Sequence, residues 1–253
     1  MNDKTQKIRY HLLDELRGFA VFCMVVYHAL FTLNFLFSFD KTLFLYNFFT
    51  PVEPVFAAFF IFLSGLCSTL SSSNIKRGAK LLLLAAAITL VTVFFEKLSI
   101  DLPILFGILH CLSICMLLVG FSEKILKKIP QAIGLSVCSL LFLLCYNIPM
   151  GYLGFGRLRL YLPQSLFSSN LFFFLGFHNH EFYSSDYFPL LPWVFIFFAG
   201  FFAGKYFEQH RFPSFFENTT VPFFAFCGRN SLKIYILHQP IIFTLAYIIK
   251  LLF

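Results

Sequence analysis

Hydrophobic and polar positions along the chain fall into long apolar runs separated by short polar breaks. Seven runs are long enough to cross a bilayer as helices: about 17–38, 51–70, 79–95, 102–121, 131–148, 187–206 and 231–252. The pattern predicts an all-α polytopic helical membrane protein of about seven transmembrane helices, with a long non-cytoplasmic loop around 149–186. No polar stretch is long enough to fold by itself, so a single transmembrane domain over 1–253 is expected. The first run, LDELRGFAVFCMVVYHALFTLNFL, carries the most informative polar residues. At about 100° per residue, Asp14, Arg17, Val21, Met24 and His28 share one helical face. His28 then lies about 16 Å above Arg17, near the middle of a ~30 Å hydrocarbon layer. An ionisable side chain at that depth is costly unless it is paired or faces water, so function is its default reading.

Composition confirms the class and charge orients the chain. With 59% hydrophobic and 12% charged residues, the protein falls well below the ~25% charged share of soluble domains. Its 19 Lys and Arg exceed its 12 Asp and Glu; in a membrane protein that excess reports cytoplasmic loops, and no nucleic-acid partner is expected. Lys4, Lys7, Arg9, Arg17, Lys76, Arg77, Lys80, Lys124, Lys127, Lys128, Lys205, Arg211, Arg229 and Lys233 fall on the side of the N-terminus. Lys41, Lys97, Arg157, Arg159 and Lys250 fall on the other. An N-in, C-out arrangement follows. The first run is long and lacks a small-residue cleavage site, so no secretory signal is expected. The seven cysteines show no CxxC pair and read as small core residues. His178, His180 and Glu181 lack zinc-site spacing, and no metal is expected. The long outer connection holds GYLGFGRLRLYLP and then an apolar piece, Leu166 to Phe177, too short to span and therefore interfacial or re-entrant. Its arginines and aromatics suit a sugar or an anionic head group, or else an ordinary lid.

Further polar residues sit inside apolar runs. Glu53 opens the second span and Ser64-Gly65 lies deep within it. His110 falls about 12 Å from the outer end of the fourth span, and His238-Gln239-Pro240 about 12 Å in from the cytoplasmic end of the last. Pro240 frees a backbone carbonyl beside two hydrogen-bonding side chains. Three histidines on three spans favour a polar chamber across the bundle. No GxSxG, HExxH or P-loop is present, and no carboxylate lies within the apolar part of a span, which argues against a proton-coupled pump. The absence of internal repeats counts against an inverted-repeat transporter. Histidine suits general-base work or a covalent acyl relay. Arg17, Lys76, Arg77, Arg229 and Lys233 at the cytoplasmic mouth suit a phosphorylated donor. Together these describe a group transfer from a cytoplasmic donor to an extracytoplasmic acceptor.

The segments LDELRGFAVFCMVVYH, FFIFLSGLCSTLSSSNIKRGAKLL, FGILHCLSI, DYFPLLPWVFIFFAG and GRNSLKIYILHQPI occur in this order. In these the chain resembles the bacterial branch of the heparan-alpha-glucosaminide N-acetyltransferase catalytic-domain family, within the transmembrane acyltransferases. The resemblance implies acetyl-CoA as donor, bound from the cytoplasmic side, and an amino sugar or other glycan as acceptor on the far side. It also implies residence in a bacterial cytoplasmic (inner) membrane; homo-oligomer formation stays open. Asp14, Arg17 and Gly18 match the opening motif, His28 the polar position that ends it, and Ser64-Gly65 the second-span motif. His110, Asp186, Pro192, Trp193, Gly228, Asn230, Ser231, His238 and Gln239 fall on the remaining motifs. Eukaryotic members carry asparagine at the position of His28 and place their catalytic histidine after the first span. This chain has no histidine between His28 and His110.

The expected function is therefore an acyl-CoA-dependent N- or O-acetyltransferase. His28 is expected as general base or acyl relay, with His110 and His238 in the catalytic group. Asp14, Arg17, Ser64, Arg77, Arg229, Asn230 and Gln239 are expected to bind the donor, and Glu53, Asp186 and Trp193 the acceptor. A sugar or anion transporter, or a non-catalytic component of envelope assembly, are the alternative classes.

Overall fold

A computed structural model describes residues 9–37, 42–97 and 102–252. Lys4, Lys7 and Lys41, which entered the charge comparison, lie outside these residues, as does the last residue of the expected first span. The protein is a polytopic helical membrane protein: among the described residues six helices are long and apolar enough to cross a membrane, and a bent pair counts as a seventh if it forms one broken span.

The helices are α1 (His11–Phe31), α2 (Leu43–Phe49), α3 (Glu53–Thr69), α4 (Asn74–Glu96), α5 (Ile108–Leu126), α6 (Gln131–Cys145), α7 (Leu190–His210), α8 (Pro222–Arg229) and α9 (Ser231–Leu252). A π-helical turn, Thr32–Leu36, extends α1. α2 and α3 form the bent pair, at 49°, and Pro51 lies at the break, where a helical amide would be required. A hairpin of β1 (Tyr152–Phe155) and β2 (Leu158–Tyr161) follows α6. Local chemistry starts and stops several of these elements. The Ser73 hydroxyl accepts the Lys76 amide at the start of α4. Pro222 stands in the first turn of α8. Arg211, at φ 62°, takes the left-handed conformation just past α7.

One expected span shifts with a consequence for chemistry. The apolar pattern puts the start of the fourth span near residue 102, but α5 begins at Ile108. Residues 102–107 are held outside the helix by backbone bonds to a later segment, Ser185 N to Pro103 O (2.8 Å) and Phe188 N to Phe106 O (3.0 Å). His110 therefore sits in the first turn of α5, not two turns deep.

The chain divides into two compact units, one comprising the residues up to Leu63 with those from Arg211 onward, the other Ser64–His210. In the first unit, α1 packs closely on α8 and also on α9. Two glycines make that approach possible. A Cβ on Gly18 would collide with the Phe224 carbonyl, and one on Gly228 with the Asp14 carbonyl. In the second unit, α4 packs on α5 and α6 on α7. There a Cβ on Gly65 would meet the backbone of Phe197, and one on Gly204 would lie 2.6 Å from the Leu66 carbonyl. The Lys205 ammonium is buried and donates to the Lys127 and Ile129 carbonyls at 2.7 and 2.6 Å, closing the end of α5. Large apolar side chains on α4, such as Leu83 and Leu90, are exposed, as expected where the solvent is hydrocarbon.

Candidate active site

Within the first unit, α1 and α9 bring polar side chains together around His28. The rings of His28 and His238 lie with centroids 5.0 Å apart. The amide nitrogen of Gln239 stands 3.3 Å from His28 Nδ1. The Thr32 hydroxyl, fully buried, donates to Gln239 Oε1 at 3.3 Å. Thr32 was missed in the sequence, although it lies four residues after His28 and so on the same face.

The polarity of these bonds assigns the protons. His238 Nδ1 lies 2.6 Å from the Tyr235 carbonyl. A carbonyl only accepts, so Nδ1 carries hydrogen and Nε2 is the basic nitrogen. Gln239 accepts a hydrogen bond at its oxygen and donates its amide hydrogen to His28 Nδ1, so in this arrangement the His28 proton sits on Nε2. Two adjacent imidazoles thus present opposite faces: a lone pair on one and an N–H on the other. His28 is half-buried and His238 buried.

Beside His28 lies a phenolic cluster that sequence reading did not identify. Tyr27 and Tyr46 stack with centroids 5.6 Å apart and their hydroxyls 3.4 Å apart. Glu53 lies within electrostatic reach of Tyr27.

Toward the start of α1, Arg17 Nη2 donates to the Ser231 hydroxyl at 3.0 Å. Its Nε is shielded from solvent and has no hydrogen-bond partner among the described residues. Asp14 does not neutralise it: the Asp14 carboxylate is taken by Arg9, at 2.8 and 3.0 Å. Arg229 is exposed, while the Asn230 amide turns back to the Phe226 carbonyl (3.0 Å) and ends α8.

The second unit holds the remaining expected residues. Gly107 N donates to His110 Nδ1 (3.3 Å), and Thr89 Oγ1 lies 3.4 Å from His110 Nε2. Because the Thr89 hydroxyl hydrogen goes to the Ile104 carbonyl (2.6 Å), His110 Nε2–H must donate to it. Both nitrogens of His110 are therefore engaged at the start of α5. Asp186 is buried and accepts the Ile108 amide at 3.2 Å, placing a carboxylate at the same helix start. Trp193 is buried between Phe142 and Phe188. Ser64 is buried, and Arg77 is exposed in the first turn of α4. Outside the spans, burial pushes the Tyr187 hydroxyl above its ordinary range, keeping it a donor, here to the Phe173 carbonyl at 2.6 Å.

The sequence model of the heparan-alpha-glucosaminide N-acetyltransferase catalytic family matches residues 9–240. The chain belongs to this family. Searches of curated proteins and of solved structures each return no match. The match runs from Arg9 to Pro240 and so contains the whole His28–His238–Gln239 cluster, together with Arg17 and Ser231. Membership in a heparan-alpha-glucosaminide N-acetyltransferase family makes membrane acetyl transfer the chemistry against which this cluster is judged.

Proposed function

We propose that the protein is a membrane acetyltransferase that moves the acetyl group of acetyl-CoA to an amine or hydroxyl of an amino sugar or other glycan. The observation that carries the reading is the paired imidazoles of His28 and His238, within the family match and with complementary proton positions.

In this reading His238 Nε2 accepts the proton of the attacking amine or hydroxyl as its lone pair forms the new bond to the thioester carbon. His28 Nε2–H donates to the carbonyl oxygen as negative charge builds there, the role of a preorganised oxyanion donor. The carbon–sulfur bond then breaks, and the proton held by His238 returns to the departing thiolate. Gln239, braced by Thr32, fixes which nitrogen of His28 carries hydrogen. His110 and Asp186 act as positioning residues for α5 rather than at the reacting atoms. Glu53 and the Tyr27–Tyr46 pair are suited to an acceptor bearing an amine and hydroxyls.

Arg17 fits the phosphate end of the donor, because it is a cation with a shielded donor group and no carboxylate partner among the described residues. It lies one stretch of helix, about 16 Å, from His28, a distance an extended pantetheine arm bridges. The basic bias toward the N-terminal side supports a cytoplasmic position for this mouth, and in this reading the protein belongs to a bacterial inner membrane. Binding to the native state raises the melting temperature with the logarithm of ligand concentration over Kd. CoA is therefore expected to stabilise the purified protein, and Arg17→Ala to abolish that shift; a full shift in the variant removes Arg17 from donor binding.

A further inference from the structure

The hairpin β1–β2 leaves three apolar side chains of one face, Phe155, Leu158 and Leu160, exposed. Its register pairs Leu153 with Leu160 and Phe155 with Leu158 on one face, and Tyr152 with Tyr161 and Gly154 with Arg159 on the other. Gly156, at φ 54°, provides the positive φ that the two-residue turn needs. The result is a two-sided ribbon. Leu158 is 87% exposed and Leu160 66%, while on the opposite face the Arg159 guanidinium sits 4.8 Å over the Tyr152 ring.

The ribbon is fixed to the end of a span. Asn147 Nδ2, buried, donates to the Gly154 carbonyl at 2.8 Å, and Leu162 N to the Gly151 carbonyl at 2.9 Å. The candidate span containing α6 runs to Met150, two residues before β1 begins. The hairpin thus starts where hydrocarbon gives way to head groups. Charge is complementary to an anionic surface: Arg157 and Arg159 lie in a stretch from Lys124 to His180 that contains no Asp or Glu. A water-facing hairpin gains nothing from three exposed apolar side chains beside two arginines, whereas an interfacial one buries the first and pairs the second.

We infer that this hairpin is a lipid-binding wedge. Its Leu158–Leu160 face enters the acyl-chain boundary of the leaflet at the end of α6, and Arg157 and Arg159 take anionic phospholipid head groups. The inference does not depend on the acetyltransferase reading.

The test places a tryptophan at the tip in the otherwise unchanged chain, Leu158→Trp, with the wild type and its one tryptophan, Trp193, as blank. The protein is reconstituted in vesicles of phosphatidylcholine and phosphatidylglycerol, with bromine on the acyl chains of one or the other. Brominated lipid is expected to quench the added emission by about half or more, and aqueous acrylamide to leave it nearly unchanged. Quenching is expected to favour phosphatidylglycerol, and Arg157→Gln with Arg159→Gln to remove that preference, at about five-fold per arginine. Quenching by acrylamide and not by lipid overturns the wedge. Shielding from both quenchers overturns it in favour of a second copy of the chain on this face. Equal quenching by the two lipids overturns the role given to the arginines. Leu160→Trp, on the same face, repeats the measurement at a second position.

Discussion

His238 donates through Nδ1 to a carbonyl that can only accept, and that one bond decides which of two histidines is the base in the proposed mechanism. The sequence places His28 and His238 within apolar runs and puts Arg17, Met24 and His28 on one helical face. It does not show hydrogen-bond direction, because that depends on which groups of another helix face each ring. Hence sequence reading places the base on His28, whereas the proposal drawn from bond polarity gives that part to His238. His110 is legible as a polar residue inside a span, but not as a first-turn residue of α5 that accepts the amide of Gly107 three positions earlier. A paired comparison separates these parts. Gln239→Leu is expected to lower kcat by about ten- to a hundred-fold, with CoA-induced stabilisation intact, because only the proton position of His28 is disturbed. His110→Phe is expected to lower the melting temperature, at a cost of about 1–3 kcal/mol for amide and hydroxyl groups left unsatisfied, with kcat closer to that of the wild type. The reverse pattern, a stable His110 variant without activity, returns His110 to the reaction centre.

At the level of elements, the spans are legible because apolar runs of sufficient length have few alternatives in a membrane. Their ends are less so. The start of α5 is set by backbone pairing to residues some eighty positions later, a non-local constraint that periodicity does not carry. The second span reads as 51–70, and α3 (Glu53–Thr69) falls inside it; α2 (Leu43–Phe49) lies before that run and forms a bent pair with α3, with Pro51 at the break. The motif glycines Gly18 and Gly228 are visible in the sequence, but their reason is steric and mutual: each presses against the backbone of the other's helix. Relief of such a clash requires α1 and α8 to separate. Gly18→Ala is therefore expected to destabilise the protein by about 1–3 kcal/mol, read as a lower melting temperature in detergent. An unchanged melting temperature would show that α1 and α8 do not approach so closely.

For the whole molecule, the family match and the membrane helices make an acetyltransferase reading specific enough to be refuted. The class, an all-α polytopic membrane protein, follows from composition and run length, and the structure agrees. In the proposal, the direction of transfer rests on the distribution of lysine and arginine, and the acceptor on Tyr27, Tyr46 and Glu53. The most direct test is transfer of radiolabelled acetyl from acetyl-CoA to glucosamine-containing acceptors by the purified, reconstituted protein. The account predicts label in the acceptor with release of free CoA, and a loss of about 10²–10⁴-fold in kcat in His238→Ala and in His28→Ala, both still melting cooperatively. Undiminished transfer by the His238→Ala protein would contradict it.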